Sequence, residues 1–232
     1  MREPGSIPKI TLIFMSPLSL LQNILIYGIP ILFAITVHEV AHGWIANKLG
    51  DPTARMLGRL TLNPIKHIDP IGTILVPGIL VYTTGFIFGW AKPVPVGWRN
   101  LRSPRRDMAL VAAAGPVSNL CMAVLWGLII KLGVLLQTST GMGISLAMIE
   151  MGKVGIQINL VLLVLNLLPI PPLDGSRVVA SFLPPKLAYV YARIEPFGFL
   201  ILLALLYFKV LNVILAPLVN TLGGYIVGLL GL

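Results

Sequence analysis

The sequence predicts an all-α polytopic membrane protein with about four to six transmembrane helices and a re-entrant or edge-strand element between the first and second core helices. Three observations carry this. Mean hydropathy over the 232 residues is +0.92, 56% of them are hydrophobic and only 11% are charged, a composition that water-soluble domains do not have. The apolar residues fall in runs long enough to cross a bilayer. The Lys and Arg residues behind the net charge of +9 stand mostly in short segments between those runs, which reads as membrane topology. No aromatic-basic platform accompanies the charge, so nucleic acid is not an expected partner. A single cysteine, Cys121, excludes an internal disulfide and any thiolate metal cluster.

In chain order, Ile10 to Leu21 is apolar but short and broken by Pro17, which suits a half-inserted or interfacial segment. No small-residue cleavage site closes it, so the first helix is expected to stay as an uncleaved anchor. Gln22 to Leu49 can cross the bilayer and is stopped by Gly50-Asp51-Pro52. The segment Lys48 to Lys66 carries four cations against Asp51, a net of +3, and Lys92 to Asp107 carries five against Asp107, a net of +4. Two basic segments belong on one side of the membrane, the cytoplasmic side by the positive-inside rule. The Gly- and Pro-studded run between them, Ile71 to Trp90, is therefore expected to be a re-entrant excursion. The alternating Ala91-Lys92-Pro93-Val94-Pro95-Val96 that follows is expected as an edge strand.

Met108 to Leu136 is the clearest span, with small residues Ala112 to Gly115 allowing close helix approach. Gln137 to Lys153 is nearly neutral and is expected as an outer loop. Val154 to Leu168 returns to the basic side and ends in a run where three prolines in four positions, Pro169, Pro171 and Pro172, forbid a helix and set Asp174 on a non-helical turn. Pro196 to Leu232 is one long span or a hairpin, with Lys209 and Pro217 as the expected break. All 232 residues are expected to form one domain, with a core over about residues 22–180 and a C-terminal membrane segment over 196–232.

Chemistry concentrates in His38-Glu39-Val40-Ala41-His42, at the end of the apolar run that begins at Ile29. Histidines four apart share a helix face and can hold one metal ion, and Glu39 beside them can take a proton from water. The pattern occurs by chance on solvated helices, but ionisable groups inside a membrane span are costly and functional by default. Two of the three histidines in the chain lie here. A catalytic zinc site needs three protein ligands and an open position. The candidates for the third are His67, Asp69, Asp107, Asp174 and Glu195. The His38 helix and the Asn166 helix both run toward the basic side, which favours Asp174. His67 is expected to be structural or interfacial.

With Gly115-Pro116-x-Ser118-Asn119, Asn166-x-x-Pro169-x-Pro171-Pro172-Leu173-Asp174-Gly175, Gly58-Arg59-Leu60-Thr61-Leu62-Asn63-Pro64 and Pro104-Arg105-Arg106-Asp107-Met108 in the same order, the chain resembles the site-2 protease family of intramembrane zinc metalloproteases. The match, over roughly residues 30 to 180, is to its short prokaryotic type without a PDZ domain. The resemblance implies His38, His42 and Asp174 as ligands of one Zn2+ per chain. It implies Glu39 as general base acting on a zinc-activated water. Asn166 is implied as a residue that polarises the scissile carbonyl or binds substrate, with Asn119 a weaker candidate that helix-helix hydrogen bonding would equally explain. The expected activity is cleavage of transmembrane segments of other proteins in regulated intramembrane proteolysis. The expected setting is the lipid bilayer of the cell (plasma or inner) membrane, with a multi-pass chain whose active site lies near the cytoplasmic side. A metal-ion transporter using the same ligands would need a polar path on both sides of the site, and a non-catalytic membrane scaffold could dispense with Glu39.

Overall fold

The computed structural model describes residues 20–76, 78–79, 89–137 and 142–232. Among the described residues, the architecture is carried by eight α-helices: α1 (Leu20–Lys48), the one-turn α2 (Thr53–Met56), α3 (Pro104–Leu136), α4 (Met142–Leu167), α5 (Asp174–Phe182), α6 (Pro185–Ala192), α7 (Glu195–Tyr207) and α8 (Val210–Leu230). Among the described residues, α1, α3, α4 and α8 are each long and apolar enough to cross a membrane, and a fifth span results if α6 and α7, bent by 59°, count as one. The segment expected over Ile10 to Leu21 lies almost wholly outside the described residues.

The centre of the bundle is the seam between α3 and α4. Ala123, Trp126 and Ile130 of α3 meet Ile156, Leu160, Leu163 and Val164 of α4, and Ile226 of α8 closes the cluster. Glycine sets the spacing: a Cβ on Gly155 would run into the Trp126 indole and one on Gly152 into Ile130, so the two helices approach as only small residues allow. α1 packs across both.

This seam corrects one expectation. The outer loop over Gln137 to Lys153 is largely helix, because α4 begins at Met142 and its first turns pack on α3, with Ser145 fully buried and Gly133 against Ile149. The C-terminal break falls at Lys209, whose φ is 60°. Pro217 is instead carried inside α8, as prolines in membrane helices are when neighbours supply the packing.

The two ends of the run expected to be re-entrant meet at one place. Trp90 lies on Gly72, its N–H donates to Gly72 O at 3.0 Å, and Thr73 Oγ1 donates to Trp90 O at 2.9 Å. Most of the excursion between them is outside the described residues. The expected edge strand over Ala91 to Val96 takes no regular structure. Pro93 and Pro95 have no N–H, and the donors of its neighbours are spent elsewhere: Lys92 N–H on His67 O at 2.9 Å, Val94 N–H on Glu39 and Gly97 N–H on Asp51. The stretch is a strap across the end of α1. Asp51, 0% exposed, ties it down, accepting from Gly97 N–H at 2.6 Å, Asn100 Nδ2 at 2.8 Å and both Thr53 donors. Burial opposes its charge, but these hydrogen bonds win and hold the carboxyl below its ordinary value.

Candidate metal centre

Near the end of α1, one helical turn separates His38 from His42, and their rings stand edge to face with centroids 4.6 Å apart. Their Nε2 atoms are 3.0 Å from each other and each 3.2 Å from Oδ2 of Asp174. Asp174 reaches them from the first turn of α5, at the end of the proline loop that follows α4. That loop is pinned from two sides, since a Cβ on Gly175 would strike Leu167 O and one on Gly198 of α7 would strike Pro171 O.

The rear wall is one face of α3. Val111, Gly115 and Asn119, spaced four apart and so stacked along the helix, back the imidazoles. Val111 O faces His42 Nδ1 at 2.7 Å and Asn119 Oδ1 faces His38 Nδ1 at 2.6 Å. Gly115 lies flat against both rings, where any Cβ would collide with His42 Nε2 and His38 Cε1.

These contacts fix the protons. A carbonyl only accepts, so His42 carries its proton on Nδ1. Asn119 must aim its NH2 at Ala34 O, 3.2 Å away, which leaves its oxygen for His38 and puts that proton on Nδ1 as well. Two Nε2 lone pairs and a carboxylate oxygen therefore converge, and Asp174 Oδ2 is buried without a hydrogen-bond donor. Electron-rich atoms this close need a cation between them. The spacings match zinc: tetrahedral ligands at about 2.0–2.1 Å stand about 3.3 Å apart. The fit is in donor type as well as distance.

Glu39 is half-buried beside the group, and its Oε2 accepts the Val94 N–H at 2.7 Å. Asn166 is half-buried near the end of α4 and donates from Nδ2 to Leu162 O, one turn back, at 2.9 Å. Asn119 is placed behind His38, 0% exposed, with its amide spent on His38, Ala34 and Asn159. The other candidate third ligands lie elsewhere: His67 donates from Nε2 to Thr61 O at 2.9 Å, Asp69 accepts from Ile71 and Gly72 N–H, Asp107 from Ser103 N–H, and Glu195 pairs with Arg177 at 3.4 Å. Among the described residues, His38, His42 and Asp174 form the group with metal-ligand geometry. Sequence reasoning missed two residues here. Val111 acts through its backbone, which no side-chain pattern shows, and Asn159 stood in the sequence only as one of two amides, with Gln157, in an apolar run.

The chain is 40% identical over 204 residues to a Bacillus subtilis protein named "Putative zinc metalloprotease YwhC", an alignment covering 88% of this chain and 89% of that relative. Proteins named "Putative zinc metalloprotease Rip2" from Mycolicibacterium smegmatis and Mycobacterium tuberculosis are each 30% identical, over 198 and 182 residues, with 78% of this chain and 66% of each relative covered. No family model and no solved structure matches the chain.

Proposed function

The chain belongs to the site-2 protease family of zinc metalloproteases, and from that premise we propose that it cleaves the transmembrane segments of other membrane proteins, using His38, His42 and Asp174 as zinc ligands and Glu39 as general base. It is a membrane protein and a zinc-dependent hydrolase acting on peptide bonds. The observation that supports the finer reading is the convergence of two imidazoles and the Asp174 carboxylate beside Glu39, with His38, Glu39 and His42 on a helix long and apolar enough to span a bilayer. The transporter and scaffold alternatives give way to the family.

When bound, zinc supplies Lewis acidity, making water more acidic and polarising a carbonyl. Glu39 takes the proton from water and returns it to the departing amine. The Val94 N–H fixes one of its carboxylate oxygens, and we assign the proton to the other. Asn166 lies at the end of α4 from which the Asp174 loop departs, and we assign it to the substrate backbone. A transmembrane helix conceals its carbonyls in its own hydrogen bonds, so the substrate must unwind locally before attack. The basic residues support a site near the cytoplasmic face of the cell membrane. Lys48, Arg55, Arg59, Lys92, Arg99, Arg102, Arg105 and Arg106 lie in the segments joining the site end of α1 to the start of α3. Lys131, which donates to Leu230 O at 2.7 Å, and Lys153 lie toward the other end.

The test is cleavage of a panel of labelled single-span proteins by the purified chain in liposomes, with Glu39→Gln alongside and bound zinc measured in both. Cleavage lost with zinc retained is the expected result. Zinc bound by both with no span cut by the native chain would overturn the substrate assignment, and equal cleavage by both would overturn the base.

A further inference from the structure

Asn159 stands in α4, 0% exposed, while the nearby amide of Gln157 is exposed. It touches neither His38 nor Asp174. Its Nδ2 donates to Gly155 O at 2.8 Å, and its Oδ1 accepts from Asn119 Nδ2 at 2.9 Å. Gly155 O can only accept, so the amide of Asn159 has one orientation, with oxygen toward Asn119. That oxygen engages the second N–H of Asn119, whose first is engaged by Ala34 O at 3.2 Å. With both hydrogens held, the Asn119 amide cannot turn, and its Oδ1 stays on His38 Nδ1 at 2.6 Å. The order of donors and acceptors from Gly155 O to His38 thus runs one way.

We propose that Asn159 is a positioning residue for the metal centre: acting through Asn119, it keeps the proton of His38 on Nδ1 and the lone pair of Nε2 turned toward the ion. This rests on the ligand set proposed above. A buried amide needs a partner wherever it is, and helix-helix adhesion alone would satisfy Asn159. The two roles separate in zinc affinity. Removing the Asn159 oxygen leaves one Asn119 N–H buried without an acceptor and frees the amide to swing off His38. Loss of a hydrogen-bonding partner behind a metal-ligating histidine costs on the order of tenfold to a hundredfold in metal affinity.

The experiment is zinc competition against a chromophoric chelator with the purified full-length chain in detergent, together with thermal unfolding of the metal-free form. Asn159→Leu, Asn159→Ala, Leu160→Ala and His38→Ala are compared with the native chain. Asn159→Leu is expected to weaken zinc about tenfold. Asn159→Ala should weaken it less, because water can enter the space and accept from Asn119. Leu160→Ala opens a cavity at the neighbouring core position and should lower stability with zinc affinity unchanged. Native affinity in both Asn159 variants, with His38→Ala impaired, overturns the proposal while the ligand set stands; if Asn159→Leu does not fold, Asn159→Ala decides alone. Native affinity in His38→Ala overturns the ligand set itself.

Discussion

His38 and His42 owe their readiness for a cation to groups that never touch it. Val111 O and Asn119 Oδ1 take the Nδ1 protons and so decide what Nε2 can do. Replacing His38 or Asp174 by Ala should therefore abolish bound zinc, measured as metal per chain after gel filtration. Glu39→Gln should keep the metal and lower turnover about a hundred- to ten-thousandfold. A second carboxylate gives a pH signature at the strap. Asp51 has its carboxyl held below its ordinary value, so its contribution to stability is full above the unfolded pKa and is lost as pH falls through the folded one. Thermal unfolding of the native chain should weaken on acidification more than that of Asp51→Asn. The nearness of the two histidines was legible from their spacing in an apolar span, and that of Asp174 from the side on which two spans end. The hydrogen bonds behind them were not, because a lone asparagine in an apolar run looks the same whether it faces lipid, a neighbouring helix or a histidine.

At the scale of helices, the centre exists because α3 presents a position without a side chain between Val111 and Asn119 to the histidines. Gly115 is that position, so Gly115→Ala should push the imidazoles out of register and weaken zinc binding. Gly143→Ala, with nothing within 4 Å of the added methyl, should bind zinc as the native chain does and be slightly more stable, as glycine replacement in a helix generally is. The end of the span containing the histidines was legible to within one residue because glycine and proline mark where it stops. The start of α4 was not. Its first turns are neutral and glycine-bearing, the composition of a loop, and only packing on α3 makes them helix. The strap is not a strand because alternate prolines leave few donors, and those of Lys92 and Val94 go to other segments.

For the molecule as a whole, four helices among the described residues, or five with the bent pair, are long and apolar enough to span a membrane, and metal should couple to stability. Zinc at about a hundred times its Kd should raise the unfolding free energy by about 2.7 kcal/mol. A chelator should reverse this and stop cleavage together. In liposomes, cleavage should favour a substrate whose scissile segment is membrane-embedded over the same segment as a water-soluble peptide, compared by kcat/KM. The membrane class and the narrow range of span counts followed from composition. The bend between α6 and α7 did not, since two short apolar helices and one long one share a composition.

For the site proposed within the membrane, Glu39 and Asp174 together bear on which ion an apolar surrounding tolerates. With Nδ1 protonated and Nε2 given to a metal, each histidine would be neutral, so Glu39 and Asp174 as carboxylates would bring a charge equal and opposite to that of one divalent ion. A centre filled in this way would be electroneutral. A net charge there would be heavily penalised, so a monovalent ion would leave a surplus negative charge and a trivalent one a surplus positive charge, and discrimination by valence comes before any discrimination by size.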